Sequence, residues 1–230
     1  EVRLLIDQVA EFGVDEFLLT GGEPAVREDL PAVIQYLGRR NVRWSLNTAC
    51  LPPPRLREAI VKSPPTFVAV SLDGPEAVHD SFRGRAGACG EALEAIRFFA
   101  SLPGCRVAAG TTVTTYNIDS LPSTLLLVAG SGAHEWGIHL LFPEGRALER
   151  PDLFLSKRQL GRVLRFVAVK RQYFPVTIAD ELGYCGEWEP LVRDWPFACG
   201  AGRWHCVVLP DGEVVPCTTL DRSASAGNLR

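Results

Sequence analysis

Two groups of residues in this sequence have types and spacing suited to chemistry. The first begins at Leu19-Thr20-Gly21-Gly22-Glu23-Pro24, where an apolar run ends in two glycines, a carboxylate and a proline. Glycines let a ligand approach the backbone, and Pro24 stiffens the turn that aims Glu23. A carboxylate held at such a place suits a cation such as an ammonium. Further along, Ser71, Asp73 and Arg83 supply a hydroxyl, a carboxylate and a guanidinium at and just beyond the end of another apolar run. The paired donors of a guanidinium match two carboxylate oxygens, so these groups suit a zwitterion that also carries hydroxyls. Asn47 and Thr48 end a third run with more polar groups. Plainer readings stand beside these: Gly21 to Pro24 as an ordinary turn, and His79, Asp80 and Arg83 as a solvated helix start with local ion pairs.

The second group is made of sulfur. Cys199 is followed by a hairpin signal in "VVLPDGEVV", with Gly212 at its turn and Cys217 at its far end. A loop thiolate and a strand-end thiolate brought together suit a soft metal centre. Cys206 is a third candidate, with a core thiol as its alternative, and Cys185 stands equally open. Cys50, Cys89 and Cys105 are isolated, and free cysteines commonly pack as small hydrophobes. Seven cysteines with no leader argue against a disulfide framework and for a reducing, cytoplasmic compartment.

What positions these groups is an alternation of short β-rich runs and helical stripes. The runs are 16–19, 43–46, 67–72, 107–113 and 136–142. Between them apolar residues recur at helical spacing, as in Leu30, Val33, Ile34 and Leu37 or Leu93, Ile96 and Phe99. Such alternation predicts a parallel sheet, either open or part of a barrel, with ligand chemistry at the carboxyl ends of the strands. The opening helical stripe at Val2, Leu5, Ile6, Val9 and Phe12 predicts that one strand precedes residue 1. Beyond it, Ser156 and Gln159 form a capping box, and the chain turns irregular after about residue 174. The expected division is therefore residues 1–174 and 175–230.

Composition fits this frame. With 230 residues, 47% hydrophobic and 22% charged, the chain can bury a substantial core. A net charge of −3 with mixed signs gives no nucleic-acid surface, and no apolar run approaches a membrane span.

The order and spacing of "TGGEP", "SLDG" with Arg83 beyond it, and "IHLLFPEGRA" resemble the S-adenosylmethionine-binding motifs of radical SAM enzymes over residues 1 to about 150. The resemblance implies an α/β fold, a partial (β/α)6 TIM-like barrel lacking its first strand. In it, Gly21, Gly22, Glu23 and Pro24 would hold the methionine amino group and Ser71 and Arg83 its carboxylate. Ile138 would meet the adenine through its backbone, and Asn47 and Asp73 would lie on the same rim. "FACGAGRWHCVVLPDGEVVPC" and the "GNLR" that follows are similar to the start of a SPASM or twitch domain, which implies an auxiliary 4Fe-4S cluster at Cys199 and Cys217.

The family's own 4Fe-4S cluster takes a Cys-x3-Cys-x2-Cys motif, and no cysteines here have that spacing. The expectation is an N-terminal segment missing from this chain, an auxiliary domain that also stops early, and a fragment inactive alone. In the intact protein the resemblance implies a 5′-deoxyadenosyl radical acting on a peptide or protein substrate, with an electron donor such as flavodoxin or ferredoxin. The alternative is a cluster-less barrel that binds S-adenosylmethionine or a peptide.

Overall fold

A computed structural model describes residues 1–230. After helix α1 (Val2–Glu11), strands alternate with helices: β1 (Glu16–Leu19), α2 (Leu30–Arg39), β2 (Arg43–Thr48), α3 (Pro54–Lys62) and β3 (Phe67–Ser71). Two helices, α4 (Glu76–Arg83) and α5 (Ala88–Ala100), then lead to β4 (Arg106–Val113), α6 (Leu121–Ser131), β5 (Glu135–Leu140), α7 (Lys157–Lys170) and β6 (Val176–Ile178). The six strands are parallel and lie in sequence order, so the sheet has β1 and β6 as its edges. Right-handed crossovers between strands in sequential order put the intervening helices on one face.

Side-chain alternation separates the two faces. Val68 and Val70, Val107 and Ala109, Trp136 and Ile138, and Val176 and Ile178 point into the helical layer, where they join one cluster of 35 buried residues. Trp136 meets Phe166 of α7 edge to face at 5.9 Å between ring centroids. The opposite, inner face carries Asn47, Ala69, Ser71, Gly110, Thr112, Gly137, His139 and Thr177, none fully buried. These side chains are mostly small, so they leave the inner face open.

The sixth strand alters the expected division. Val176–Ile178 pairs in register with Trp136 to Ile138, so the sheet extends past residue 174 to Ile178. Three residues after a proline are too short to register as a β run. The capping box at the start of α7 forms as expected, with Ser156 accepting from the Gln159 N–H and the Gln159 side chain accepting from the Ser156 N–H. Of the α1 stripe only Ile6 is buried, while Phe12 is 89% exposed, so this helix packs through less of its apolar face than the spacing predicts.

Past the sheet, Glu189 opens the short helix α8 (Glu189–Val192) and pairs with Arg193 at 3.0 Å, both nearly fully buried. The chain then reaches β7 (Val207–Val208), β8 (Glu213–Val215) and β9 (Gly227–Asn228), a small antiparallel sheet. Gly212 takes φ +87° at the hairpin turn, where a side chain would be strained and would meet Asn228. No helix is long and apolar enough to cross a membrane.

Candidate functional site

Glu23 is the N-cap of a single 3-10 turn, Pro24–Val26. Its Oε1 accepts from the Ala25 N–H at 3.0 Å and the Thr48 hydroxyl at 2.7 Å, and its Oε2 from the Ala49 N–H at 2.7 Å. The carboxylate therefore ties the loop after β1 to the end of β2. A carboxylate has about four acceptor positions, so Oε2 keeps one for an incoming cation. Gly21 takes φ +134°, and a Cβ at either Gly21 or Gly22 would meet nothing within 4 Å, so the approach to Glu23 is open. The beginning of the site is thus more than a turn.

The ladder register carries the site across the sheet. Thr48 is the Cα partner of Val70, so Ser71 stands one residue further along the neighbouring strand. Asn47 is exposed on the same inner face. The Ser71 and Asn47 side chains make no hydrogen bond within the protein, which leaves both free for a ligand.

Asp73 takes a different place from the one expected of it. It is 1% exposed, so it is no rim contact. Its Oδ1 accepts from the Thr112 N–H at 3.0 Å, and its Oδ2 accepts from Arg83 Nε at 2.7 Å and forms an ion pair with Arg83 Nη2 at 2.7 Å. Its backbone is fixed as well. The Asp73 N–H donates to His79 Nδ1 at 2.9 Å and its carbonyl accepts from Asn117 Nδ2 at 2.9 Å. Arg83 is about a third exposed, and its Nη1 has no partner in the protein. Asp73 thus positions a guanidinium with one free edge.

His79 is not the solvated residue of the plain reading. It is 0% exposed, and burial holds its pKa below the ordinary histidine value. Because Nδ1 accepts from Asp73, Nε2 carries the proton, and it is buried with no partner. Asp80 is likewise engaged, accepting from the Gly87 and Cys89 N–H groups at 2.6 and 2.8 Å and so closing the turn between α4 and α5.

At Ile138 the adenine contact is expected of the backbone: the side chain is 0% exposed in the helical layer, and the carbonyl accepts from the Ala179 N–H at 2.8 Å. The next residue, His139, occupies the inner face instead. Its Nδ1 lies 2.9 Å from Glu181 Oε1, in the turn after β6. Burial is the largest single influence on the Glu181 carboxyl and works against its charge, but the hydrogen bond and charge of His139, its own backbone and the Arg193 charge together outweigh burial and hold the carboxyl below its ordinary value. The alternation of Gly137 and His139 against Trp136 and Ile138 was the available signal for His139. Nothing local marked Glu181.

Among the cysteines, Cys89 and Cys105 are buried and Cys50 is half-buried. Burial pushes the Cys50 and Cys105 thiols up to about 11, in Cys50 with help from the neighbouring Glu23 charge. Cys217 differs: the Thr219 hydroxyl, 3.1 Å from its sulfur, lowers its pKa. Cys199 and Cys206 are exposed in the segment leading into β7, and Cys217 follows β8. No three His, Cys, Asp or Glu side chains converge as a metal-holding group.

The geometry defines a class first: a parallel α/β sheet whose strand ends hold an anion beside open glycines, a free hydroxyl and a half-free guanidinium. These groups fit the zwitterionic end of an amino acid. The chain belongs to the radical S-adenosylmethionine enzyme family. It is 31% identical over its whole length to the AdoMet-dependent heme synthase of Nitratidesulfovibrio vulgaris, covering 67% of that protein. It is also 31% identical to the AdoMet-dependent heme synthase of Methanosarcina barkeri, again over all of this chain and covering 70% of the relative. Mycofactocin maturase MftC of Mycolicibacterium smegmatis is 28% identical over 98% of this chain and 58% of its own length.

The fold matches Streptococcus suis SuiB bound to S-adenosylmethionine with TM-score 0.68 at 14% identity, covering 94% of this chain and 52% of that one. It matches anSMEcpe with bound AdoMet with TM-score 0.72 at 18% identity, covering 99% and 68%. No protein-family model matches the sequence.

Proposed function

We propose that the intact protein binds S-adenosylmethionine across the ends of β1, β2 and β3 and uses it for radical modification of a peptide or protein. The observation that carries this reading is the Glu23 carboxylate, fixed by Thr48 and Ala49 with one acceptor position left, beside the free Ser71 hydroxyl and Arg83 Nη1. Glu23 accepts from the methionine ammonium, and Gly21 and Gly22 allow its approach. Ser71 and Arg83 donate to the methionine carboxylate, and Asn47 adds a polar contact. S-adenosylmethionine with a reduced 4Fe-4S cluster supplies a 5′-deoxyadenosyl radical; the protein binds, aims and shields it from water. The electron donor is a flavodoxin or ferredoxin, and the compartment is the cytoplasm. In the small sheet, Cys199 and Cys217, with Cys206 as a third candidate, contribute to an auxiliary 4Fe-4S cluster.

A second substrate reading has its own support. The relatives at 31% identity are named heme synthases, which favours a tetrapyrrole in place of the peptide. One experiment separates these readings from each other and from a cluster-less binder. Full-length protein, reconstituted anaerobically with iron and sulfide, is given reductant, S-adenosylmethionine and either a panel of short synthetic peptides or iron-coproporphyrin III. The expected result is 5′-deoxyadenosine, raised by a peptide. Stimulation by the porphyrin alone moves the assignment to tetrapyrroles. Binding without 5′-deoxyadenosine refutes radical chemistry. Replacing Glu23 by Gln turns an amide N–H2 toward donors and removes the charge. A loss of about tenfold in S-adenosylmethionine affinity is expected from one charge-assisted hydrogen bond, and unchanged calorimetry refutes the role.

A further inference from the structure

The inner face of the sheet holds a second built site, on the side away from Glu23. Gly137 and His139 alternate with the buried Trp136 and Ile138, so the imidazole lies on the inner face of the sheet, and its side chain is 41% exposed. Ideal Cβ positions built on Gly137 and Gly110 lie 3.2 and 3.7 Å from His139 Nε2. The ring therefore covers two adjacent glycines, and the absence of side chains there is what gives it room. Glu181 accepts at Nδ1, so in the neutral ring Nε2 presents a lone pair, and Nε2 has no hydrogen-bond partner in the protein.

The backbone under Glu181 is itself locked. Arg193 donates to the carbonyls of Ala179 and Gly183 at 2.8 and 2.7 Å on either side of the Glu181 turn, and Glu189 holds Arg193. A carboxylate that orients a histidine, carried on a turn pinned by a buried ion pair, is the arrangement of a group kept in one pose for proton transfer. Ser71 is the Cα partner of Gly110, and Gly110 of Gly137. Two strand spacings, roughly 10 Å in all, therefore separate the cofactor side from the histidine side. That gap admits the reacting part of a substrate.

We propose that His139, oriented by Glu181, touches the substrate on the inner face of the sheet and accepts a proton from it at Nε2. The proposal rests on the radical-enzyme reading. In a two-electron oxidation of the substrate, a hydrogen atom goes to the 5′-deoxyadenosyl radical and an electron to an iron-sulfur cluster. The remaining proton goes to Nε2, the ring nitrogen that lies over the two glycines. The group recognised is a hydrogen-bond donor beside the carbon that is oxidised, such as a peptide amide N–H.

The test uses full-length reconstituted protein and the two probes named above, following substrate-free 5′-deoxyadenosine, product, and S-adenosylmethionine affinity by calorimetry. His139→Gln is expected to keep affinity and substrate-free 5′-deoxyadenosine at wild-type levels while product formation with the active probe falls by about 100-fold, the scale of a lost acid-base group. Glu181→Gln and Gly137→Ala, which disturb the ring's tautomer and its seat, are expected to lower product in the same selective way. Wild-type product formation by His139→Gln overturns the proposal. So does a fall in cofactor affinity parallel to that in product, since this is the mark of a structural role. A wild-type protein that makes 5′-deoxyadenosine but converts neither probe overturns this proposal and the substrate assignment. One that makes none overturns the functional reading itself.

Discussion

Replacing Asp73 with Asn should weaken S-adenosylmethionine binding without touching the ligand. Asp73 Oδ1 accepts from the Thr112 N–H while Oδ2 accepts from Arg83 Nε and pairs with its Nη2. An amide satisfies one side only: whichever way it is turned, its N–H2 faces either the Thr112 N–H or the guanidinium. Arg83, about a third exposed, can swing into water, while the Thr112 N–H is part of the sheet. The amide oxygen therefore stays with Thr112 and Arg83 loses its anchor. A hydrogen bond to a charged group contributes about 1.5–3 kcal/mol. Losing most of one lowers affinity by about 10- to 100-fold, at about 1.4 kcal/mol per tenfold.

A comparison ligand isolates the effect. 5′-Methylthioadenosine carries the nucleoside and sulfur but neither the carboxylate nor the ammonium. Calorimetry should show Asp73→Asn weakening S-adenosylmethionine while leaving 5′-methylthioadenosine unchanged. Equal losses for both ligands would mean that Asp73 supports the fold rather than Arg83. No loss for either would refute the arginine's place at the carboxylate.

Other consequences follow from the same geometry. The Glu189 carboxyl is held down to about 2: burial opposes its charge, but the Cys185 and Phe197 N–H groups and Arg193 outweigh it. A lowered folded-state pKa gives stability that is present above the ordinary glutamate range and lost as pH falls through about 2. The 179–197 segment should therefore keep its near-UV circular dichroism at pH about 3, and Glu189→Gln should lose it sooner. Iodoacetamide at neutral pH should label Cys217 before Cys50 or Cys105, because the Thr219 hydroxyl favours its thiolate while burial suppresses the other two; equal labelling by mass spectrometry contradicts this. In the full-length reconstituted protein, Cys199→Ala or Cys217→Ala should each lower the iron-to-protein ratio, and an unchanged ratio removes them from the ligand set.

The sequence made legible what depends on local pattern. Strand ends at Leu19 and Ser71, the helical stripe at Leu30 to Leu37, the capping box at Ser156 and the turn at Asp211-Gly212 are each set by residues within a few positions, and all form. β6 was missed because "PVTIA" is too short to show alternation, and its place is fixed by pairing with residues forty positions earlier. Asp73 shows the other limit. A carboxylate two residues beyond a strand reads as a rim group, but its burial depends on Thr112 and Asn117, which no spacing around residue 73 brings near.

Ile138 and His139 show how one position along a strand decides a role. Successive residues face opposite sides, so the Ile138 side chain packs in the helical layer while that of His139 reaches the inner face. With Ile138 in the helical layer, the inner face is divided between two kinds of group. Glu23, Asn47, Ser71 and Arg83 stand at the ends of β1 to β3 and beyond, and His139 with Glu181 at β5 and β6. Gly110 and Gly137 form the floor between them, partners in the ladder and without side chains. The division has a mechanical basis. Glu23 is held by β2 and Arg83 by Asp73, whereas Glu181 is held by the Glu189–Arg193 pair below β6. Because the two anchors share no residue, damage to one should leave the other's ligand bound. Cofactor affinity and substrate turnover are therefore expected to vary independently in Asp73→Asn and His139→Gln, and parallel losses in both would mean that the inner face acts as one site rather than two.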